Sequence, residues 1–194
     1  AKGVGDVVMI TLGTGVGGGI IIDHKVYSGF NYAGAELGHI VIEYNGRQCS
    51  CGRKGCWEAY SSATGLINMT KEKLAECEKS GRKTIMTDFV RDEGKVSGKT
   101  AFACMKKGDE AAKEVVDMYI SYLGCGLSNI INIFQPEILV IGGGICNEKN
   151  YLTDPLKEII KAETYGNEAI RPTELKIAEL GNDAGIIGAA VLGF

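Results

Sequence analysis

The feature that most constrains this chain is a short stretch that holds three cysteines and one histidine. The four residues follow the pattern H-x9-C-x-C-x4-C and are His39, Cys49, Cys51 and Cys56. Tetrahedral Zn²⁺ prefers four nitrogen or sulfur ligands, and three cysteines with one histidine are an established structural set. Glycines at positions 46, 52 and 55 free the backbone to wrap around a small ion. The stretch therefore predicts a structural zinc site, and the alternative is three buried cysteines beside an ordinary loop histidine.

Two carboxylates, Glu36 and Glu58, bracket this cluster. A zinc ion with four nitrogen and sulfur ligands needs no carboxylate, so both side chains remain available to bind another ligand. An ionised carboxylate accepts hydrogen bonds and donates none, which suits a ligand that carries hydroxyl groups.

A run of glycines, Gly13 to Gly19, lies between two stretches with the pattern of β-strands, Asp6 to Leu12 and Ile20 onward. Its spacing formally matches the dinucleotide-binding fingerprint, but that motif requires a helix directly after the glycines. Without Cβ atoms the backbone can approach a phosphate closely and point several N–H groups at it. The run indicates a phosphate-binding hairpin, with a tight glycine hairpin as the alternative. The predicted contacts are Gly13, Thr14, Gly15 and Gly17.

A second glycine loop, Gly142, Gly143 and Gly144, follows a continuous apolar strand from Glu137 to Ile141. A helix is predicted after it, near Tyr151 to Ala162. Ligands of α/β sheets bind at the carboxyl ends of strands, which makes this loop a second candidate nucleotide contact.

Apolar periodicity predicts the other elements. The longest helix spans Asp109 to Phe134, and its Gly124 and Gly126 indicate either close helix packing or a kink. The remaining predictions are helices from about Ser61 to Lys79, Thr100 to Lys107 and Ala184 to Leu192, a short helix within residues 82–98, and strands at Gly38 to Glu43 and Glu174 to Ala178.

Composition excludes several classes of protein. The chain has 194 residues, a net charge of −3, 45% hydrophobic residues and 23% charged residues, which is typical of a soluble globular protein. The positive and negative charges are interspersed, so the sequence shows no cluster of basic residues that would bind nucleic acid or an anionic membrane. No apolar run reaches transmembrane length, and no signal peptide opens the chain. Seven cysteines, an odd number, indicate thiols in a reducing cytoplasm rather than disulfides.

The zinc loop, its two flanking glutamates and the stretch Leu12 to Gly19 together resemble the ROK family of repressors and sugar kinases. Within that family the chain is most similar to the bacterial glucokinases. The resemblance implies a ribonuclease-H-like (actin-like ATPase) α/β lobe, in which a mixed sheet is flanked by helices and carries a zinc-binding loop.

The same resemblance implies roles for individual residues. Glu36 and Glu58 match residues that bind sugar hydroxyls. His39 matches a residue that binds zinc through one ring nitrogen and the sugar through the other. Gly142 to Gly144 match a loop that contacts the adenosine of ATP. Family members also commonly form dimers through this lobe.

The family's catalytic base is an aspartate on a helix before the strand that matches Asp6 to Leu12, and only five residues precede that strand here. We therefore expect residues 1–194 to be the C-terminal lobe of a longer kinase, with the base, the first phosphate hairpin and its Mg²⁺-associated acid in an absent N-terminal lobe. The expected function of the full protein is ATP-dependent phosphorylation of the 6-hydroxyl of glucose in the cytoplasm, and the lobe alone should be inactive. The alternatives are the sugar-sensing lobe of a ROK repressor and a kinase for another hexose, such as an N-acetylated sugar.

Overall fold

The computed structural model describes residues 3–166 and 170–181, and within them five strands form one mixed sheet. Its order is β3-β2-β1-β4-β5, with β2 antiparallel to β1 and β3, and with β4 parallel to β1 and β5. The strands are β1 Val7–Leu12, β2 Val16–Ile22, β3 Lys25–Val26, β4 Ile138–Gly142 and β5 Glu174–Ile177. The predicted mixed sheet is confirmed.

The central strand β1 has two different faces, because successive side chains of a strand point to opposite sides of the sheet. Val8, Ile10 and Leu12 are at most 1% exposed and belong to the main hydrophobic core. Met9 is half-buried and Thr11 is exposed on the opposite face. One face of the sheet therefore packs on helices, while the other face leaves polar and small residues accessible.

The helices lie close to the predicted positions. They are α1 Glu58–Ser61, α2 Ala63–Ser80, α3 Ile85–Glu93, α4 Thr100–Met105, α5 Glu110–Phe134 and α6 Asn150–Glu163. The Asp109 side chain caps α5 by accepting a hydrogen bond from Ala112 N at 2.7 Å. The predicted helix from Ala184 to Leu192 lies outside the described residues.

Helix α5 is the centre of the helical layer. Its Leu123, Leu127 and Ile130 are fully buried in the same core as β1. Gly124 allows Ile159 of α6 to approach, since a Cβ there would lie 2.7 Å from Ile159 Cγ2. Of the two interpretations given above, close helix packing and a kink, close packing is therefore the role of Gly124. Among the described residues, no helix is long and apolar enough to cross a membrane.

The strand predicted from Gly38 to Glu43 is wrong. Leu37–His39 forms a single 3₁₀ turn, and Val41 makes only an isolated bridge to Cys56. The alternation of apolar residues here reflects a chain that wraps around the cysteine cluster, with Ile40 and Ile42 packed against the core. Among the described residues no neighbouring strand continues the ladder at this point, so a regular strand does not form.

Candidate functional site

The structure brings the four predicted zinc ligands into one cluster. One ligand atom from each of His39, Cys49, Cys51 and Cys56 lies within 4.8 Å of all the others. His39 Nδ1 is 3.7 Å from Cys49 Sγ, and Cys51 Sγ is 3.6 Å from Cys56 Sγ. Zinc–sulfur bonds of about 2.3 Å place two sulfurs of a tetrahedron about 3.8 Å apart. The cluster is therefore compatible with a tetrahedral zinc site.

The thiols of this cluster have unequal environments, and all seven cysteines are free of disulfides. Burial raises the pKa of Cys56 to about 12, and hydrogen bonds with Cys51 and Cys49 add to the increase. A backbone hydrogen bond at Arg53 lowers the pKa of Cys51. A divalent cation would favour the thiolate form at every cysteine, because the thiolate is the form that ligates metal.

The cluster is fixed to the helical layer by Trp57. Its side chain is 0% exposed, and its indole N–H donates to the carbonyl of Tyr122 in α5 at 3.0 Å. Gly126 of α5 faces the indole, and a Cβ at this position would overlap the ring. The missing side chain at Gly126 thus lets the loop that ends at Cys56 rest directly on α5.

Glu58 follows Trp57 and connects the cysteine loop with the glycine hairpin. One carboxylate oxygen, Oε2, accepts a hydrogen bond from Val16 N at 3.0 Å. The other, Oε1, accepts from Ser50 Oγ at 3.1 Å. Ser50 lies between two of the clustered cysteines, and Val16 is the first residue of β2. The carboxylate therefore lies between the two predicted ligand sites.

Glu36 and His39 lie at the two ends of the same 3₁₀ turn, where His39 N donates to the carbonyl of Glu36 at 3.1 Å. The Glu36 side chain is exposed and the His39 side chain is half-buried. Because Nδ1 of His39 faces Cys49, the ring presents Nε2 away from that contact, and Nε2 has no hydrogen bond among the described residues. This is the arrangement that binding to a metal and to a second ligand requires.

The two glycine loops meet in a cleft of about 560 Å³ at the carboxyl ends of β1 and β4. Gly13, Gly15 and Gly17 line one side, and Gly142 to Gly144 line the other. Gly143 has φ +114°, a backbone conformation that side chains rarely adopt, and a Cβ there would overlap the carbonyl of Leu12. The two glycine loops, each predicted separately as a nucleotide contact, therefore line the same cleft.

Two details of the cleft differ from the prediction. Thr14 is not among its lining residues, and its carbonyl instead accepts a hydrogen bond from Thr64 Oγ1 at 2.8 Å. Gly17 lies within β2 rather than in the loop. Sequence reasoning also missed Met9 and Thr11, which line the floor. Their signal was the alternation along β1, which sends every second side chain to the face that carries the glycines.

A larger cavity of about 820 Å³ lies between α5, α6 and the start of β5, and it includes Asn132, Lys157 and Arg171. None of the predicted site residues lines it. The chemistry that the sequence predicts is concentrated in the smaller cleft and in the cysteine loop beside it.

The described residues thus combine a mixed sheet with flanking helices, two facing glycine loops and a Cys/His loop in one α/β fold. The chain belongs to the ROK family, whose sequence profile matches residues 1–193.

Solved structures and curated relatives support the same assignment. A ROK family glucokinase from Streptomyces griseus, crystallised with glucose and AMPPNP, is similar with a TM-score of 0.86 and 32% identity over 98% of this chain and 61% of that chain. The glucokinase of Halalkalibacterium halodurans is 38% identical over 98% of this chain and 58% of its own length. The chain thus spans about three fifths of the length of each of these two proteins.

Relatives with other functions also match. The xylose repressor of Bacillus subtilis is 27% identical over 97% of this chain and 44% of its own length. An N-acetylgalactosamine kinase of a Shewanella species is 29% identical over 99% of this chain and 58% of its own length. Membership of the family therefore covers both enzymes and regulators.

Proposed function

We propose that this chain is the C-terminal lobe of an ATP-dependent glucokinase that phosphorylates the 6-hydroxyl of glucose. The observation that carries the proposal is the position of Glu58. Its carboxylate links the cysteine loop, the predicted sugar site, to the glycine hairpin, the predicted phosphate site. Phosphoryl transfer depends mainly on holding the acceptor and the nucleotide in line, so one residue at the boundary of both sites suits this chemistry.

The roles proposed for individual residues follow from their chemistry. Carboxylates of Glu36 and Glu58 accept hydrogen bonds from adjacent sugar hydroxyls, and the free Nε2 of His39 contacts a further hydroxyl. Gly13, Gly15 and Gly17 form one side of the nucleotide site, where the missing side chains let a phosphate approach the backbone, and Gly142 to Gly144 form the second side. Thr14 lies in the same hairpin and is exposed, although it is not among the residues that line the cleft.

We propose that the Cys/His cluster holds Zn²⁺ as a structural ion. Four nitrogen and sulfur ligands close a tetrahedron and leave no position for water or substrate. Bound there, the ion would fix the ring of His39 and the path of the chain from Cys49 to Cys56, which positions Ser50 and Glu58. Mg²⁺ would enter with ATP in the full-length protein.

The catalytic base is proposed to lie outside the 194 residues, on a preceding N-terminal lobe. The described carboxylates of the cleft do not supply one. Glu58 is the only acidic residue among the described residues that line it, and we assign it to sugar binding.

The experiment that tests this function is a coupled assay of ADP formation, using the full-length protein with ATP, Mg²⁺ and a panel of hexoses. The expected result is turnover with the highest kcat/KM for glucose. A preference for N-acetylglucosamine, N-acetylgalactosamine or N-acetylmannosamine would replace the proposed substrate with an N-acetylated one. Absence of turnover with every hexose, together with sugar-dependent DNA binding, would contradict the kinase proposal.

A sugar-sensing lobe of a repressor is the second candidate, and the similarity to the xylose repressor favours it. A sensor needs contacts with sugar but none with nucleotide. The open cleft between two glycine loops therefore favours the kinase, because it has no use in a protein that binds sugar alone.

We further propose that the protein acts in the cytoplasm and as a homodimer, through exposed apolar residues of the helical layer. Met118 and Ile133 of α5 are 44% and 66% exposed. Seven thiols without a disulfide suit a reducing compartment. Light scattering over a range of concentrations should give the mass of two chains for the full-length protein, and a constant mass of one chain would contradict the dimer.

A further inference from the structure

One side chain on the floor of the cleft has a glycine beside it on each of the two neighbouring strands. Thr11 of β1 pairs with Gly17 of β2 and with Gly142 of β4. Across this row of the sheet, Thr11 therefore carries the only side chain between two glycines. It is also the only residue with a hydroxyl among the described residues that line the cleft.

The two glycines keep the space around this hydroxyl open. A Cβ at Gly17 would lie 2.5 Å from Thr11 Oγ1, which is closer than two such atoms can approach. A Cβ at Gly142 would lie 2.8 Å from Cε of Met9, the residue that precedes Thr11 on the same face. Each glycine thus makes room for a β1 side chain on the floor.

The Thr11 hydroxyl is available to a ligand. The residue is exposed, and its Oγ1 makes no hydrogen bond with any described residue. A β-branched residue is expected in a strand, but Val would serve that purpose equally well at an exposed position. The hydroxyl is therefore unexplained by the fold and points to a role in binding.

Charge selects the part of the cleft that an anion can occupy. Glu58 places a carboxylate on one wall, where Val16 N and Ser50 Oγ hold it. A phosphate next to that carboxylate would be repelled. A phosphate can instead approach the backbone closely along the row formed by Gly17, Thr11 and Gly142. The Thr11 hydroxyl supplies one neutral hydrogen-bond donor there.

We infer that the Thr11 hydroxyl donates a hydrogen bond to a phosphoryl oxygen of the bound nucleoside triphosphate, and that Gly17 and Gly142 leave the space that this phosphoryl group occupies. This inference rests on the proposed kinase function. A hydrogen bond to a charged group contributes enough that its loss weakens binding by about 10- to 100-fold.

Two substitutions of Thr11 test the inference in the full-length protein. Thr11→Val keeps the shape and the preference for a strand but removes the donor, and Thr11→Ser keeps the donor. Calorimetry with AMPPNP and Mg²⁺ should show about 10- to 100-fold weaker binding to the Thr11→Val protein. Binding to the Thr11→Ser protein should stay within about threefold of wild type, as expected for an exposed site where the functional group remains.

Glucose binding and zinc content serve as controls, and both should be unchanged in the Thr11→Val protein because Thr11 contacts neither predicted site. Nucleotide affinity equal to wild type in the Thr11→Val protein would overturn the inference. A change confined to the Mg²⁺ concentration dependence would also overturn it, since the hydroxyl would then serve the cation. Failure of the wild-type protein itself to bind AMPPNP would instead contradict the proposed kinase function.

Discussion

Glu58 accepts a hydrogen bond from the backbone N–H of Val16 at 3.0 Å, across 42 positions of sequence. The contact joins the end of the cysteine loop to the first residue of β2. Gly15 permits it, since a Cβ at that position would overlap the Glu58 carboxylate. A glycine predicted to contact phosphate thus also makes room for a carboxylate predicted to contact sugar.

This contact separates two substitutions of Glu58 in the full-length protein. Glu58→Gln keeps an oxygen that can accept from Val16 N but loses the charge that strengthens hydrogen bonds to sugar hydroxyls. We expect the Kd for glucose to rise about tenfold or more, with the Kd for AMPPNP nearly unchanged. Glu58→Ala removes both interactions, so both dissociation constants should rise. Calorimetry with each ligand measures the difference, and an equal loss of both ligands in the Glu58→Gln protein would contradict a sugar-binding role.

The metal prediction rests on the convergence of four ligand atoms within 4.8 Å. Metal analysis of the purified protein should find about one Zn²⁺ per chain, bound in a tetrahedron. Cys56→Ser should abolish this and lower the unfolding temperature by at least about 5 °C, because a fully buried ligand is lost with the ion. Cys125→Ser, on α5 and outside the cluster, is the matched control and should keep the metal. Unligated Cys49 and Cys56 thiols in a metal-replete sample would contradict the prediction of a zinc site.

Gly126→Ala tests the anchoring of the cysteine loop on α5. Alanine normally stabilises a helix interior relative to glycine by about 1 kcal/mol. Here the added Cβ would overlap the Trp57 indole, so we expect net destabilisation of about 1–2 kcal/mol through overpacking. Urea unfolding measures the free energy, and Ser121→Ala on the exposed side of α5 should change it by less than about 0.5 kcal/mol. A more stable Gly126→Ala protein would show that the indole moves freely.

An ion-pair network between α2 and α5 predicts a pH dependence of stability. Glu114 pairs with Lys73 at 3.0 Å and with Arg82 at 2.8 Å. Hydrogen bonds from Lys73 and then Arg82 lower the pKa of the Glu114 carboxyl. A lowered folded-state pKa means that the pairs stabilise the protein above the unfolded-state pKa, and that this stability is lost as pH falls through the folded-state pKa.

The corresponding variant is Glu114→Gln. Because the Glu114 side chain is 46% exposed, solvent screening limits the expected loss at neutral pH to about 0.5 kcal/mol. The difference from wild type in the free energy of unfolding should shrink toward zero as pH falls through the folded-state pKa of Glu114, and also in high salt. A difference that persists at low pH would assign the effect to packing rather than to charge.

The 194-residue chain by itself should not phosphorylate glucose, if the proposed base lies on another lobe. General-base assistance contributes about 10²–10⁴-fold, and the loss of a whole lobe also removes the closure that aligns the reactants. The measurement is ADP formation by this chain beside its full-length parent, with glucose, ATP and Mg²⁺. Turnover comparable to the parent would place the base within these residues.

Local sequence determined a large part of this protein. Apolar runs predicted β1 and β4, and helical periodicity predicted α5, because each of these patterns lies within one continuous segment of sequence. The spacing of the clustered cysteines and His39 predicted a metal loop, because ligands this close in sequence meet almost regardless of the surrounding fold. The same local reasoning failed for Gly38 to Glu43, where an alternating pattern has no partner strand and the chain turns around the cluster instead.

Tertiary structure alone decided the contacts between distant segments. No local pattern shows that Val16 N meets Glu58, that the Trp57 indole lies on Gly126, or that Thr11 stands between two glycines. These contacts depend on strand register and on the packing of α5 against the sheet. A shift of one residue in register would reverse the face that each side chain occupies, and the row on the floor of the cleft would no longer exist.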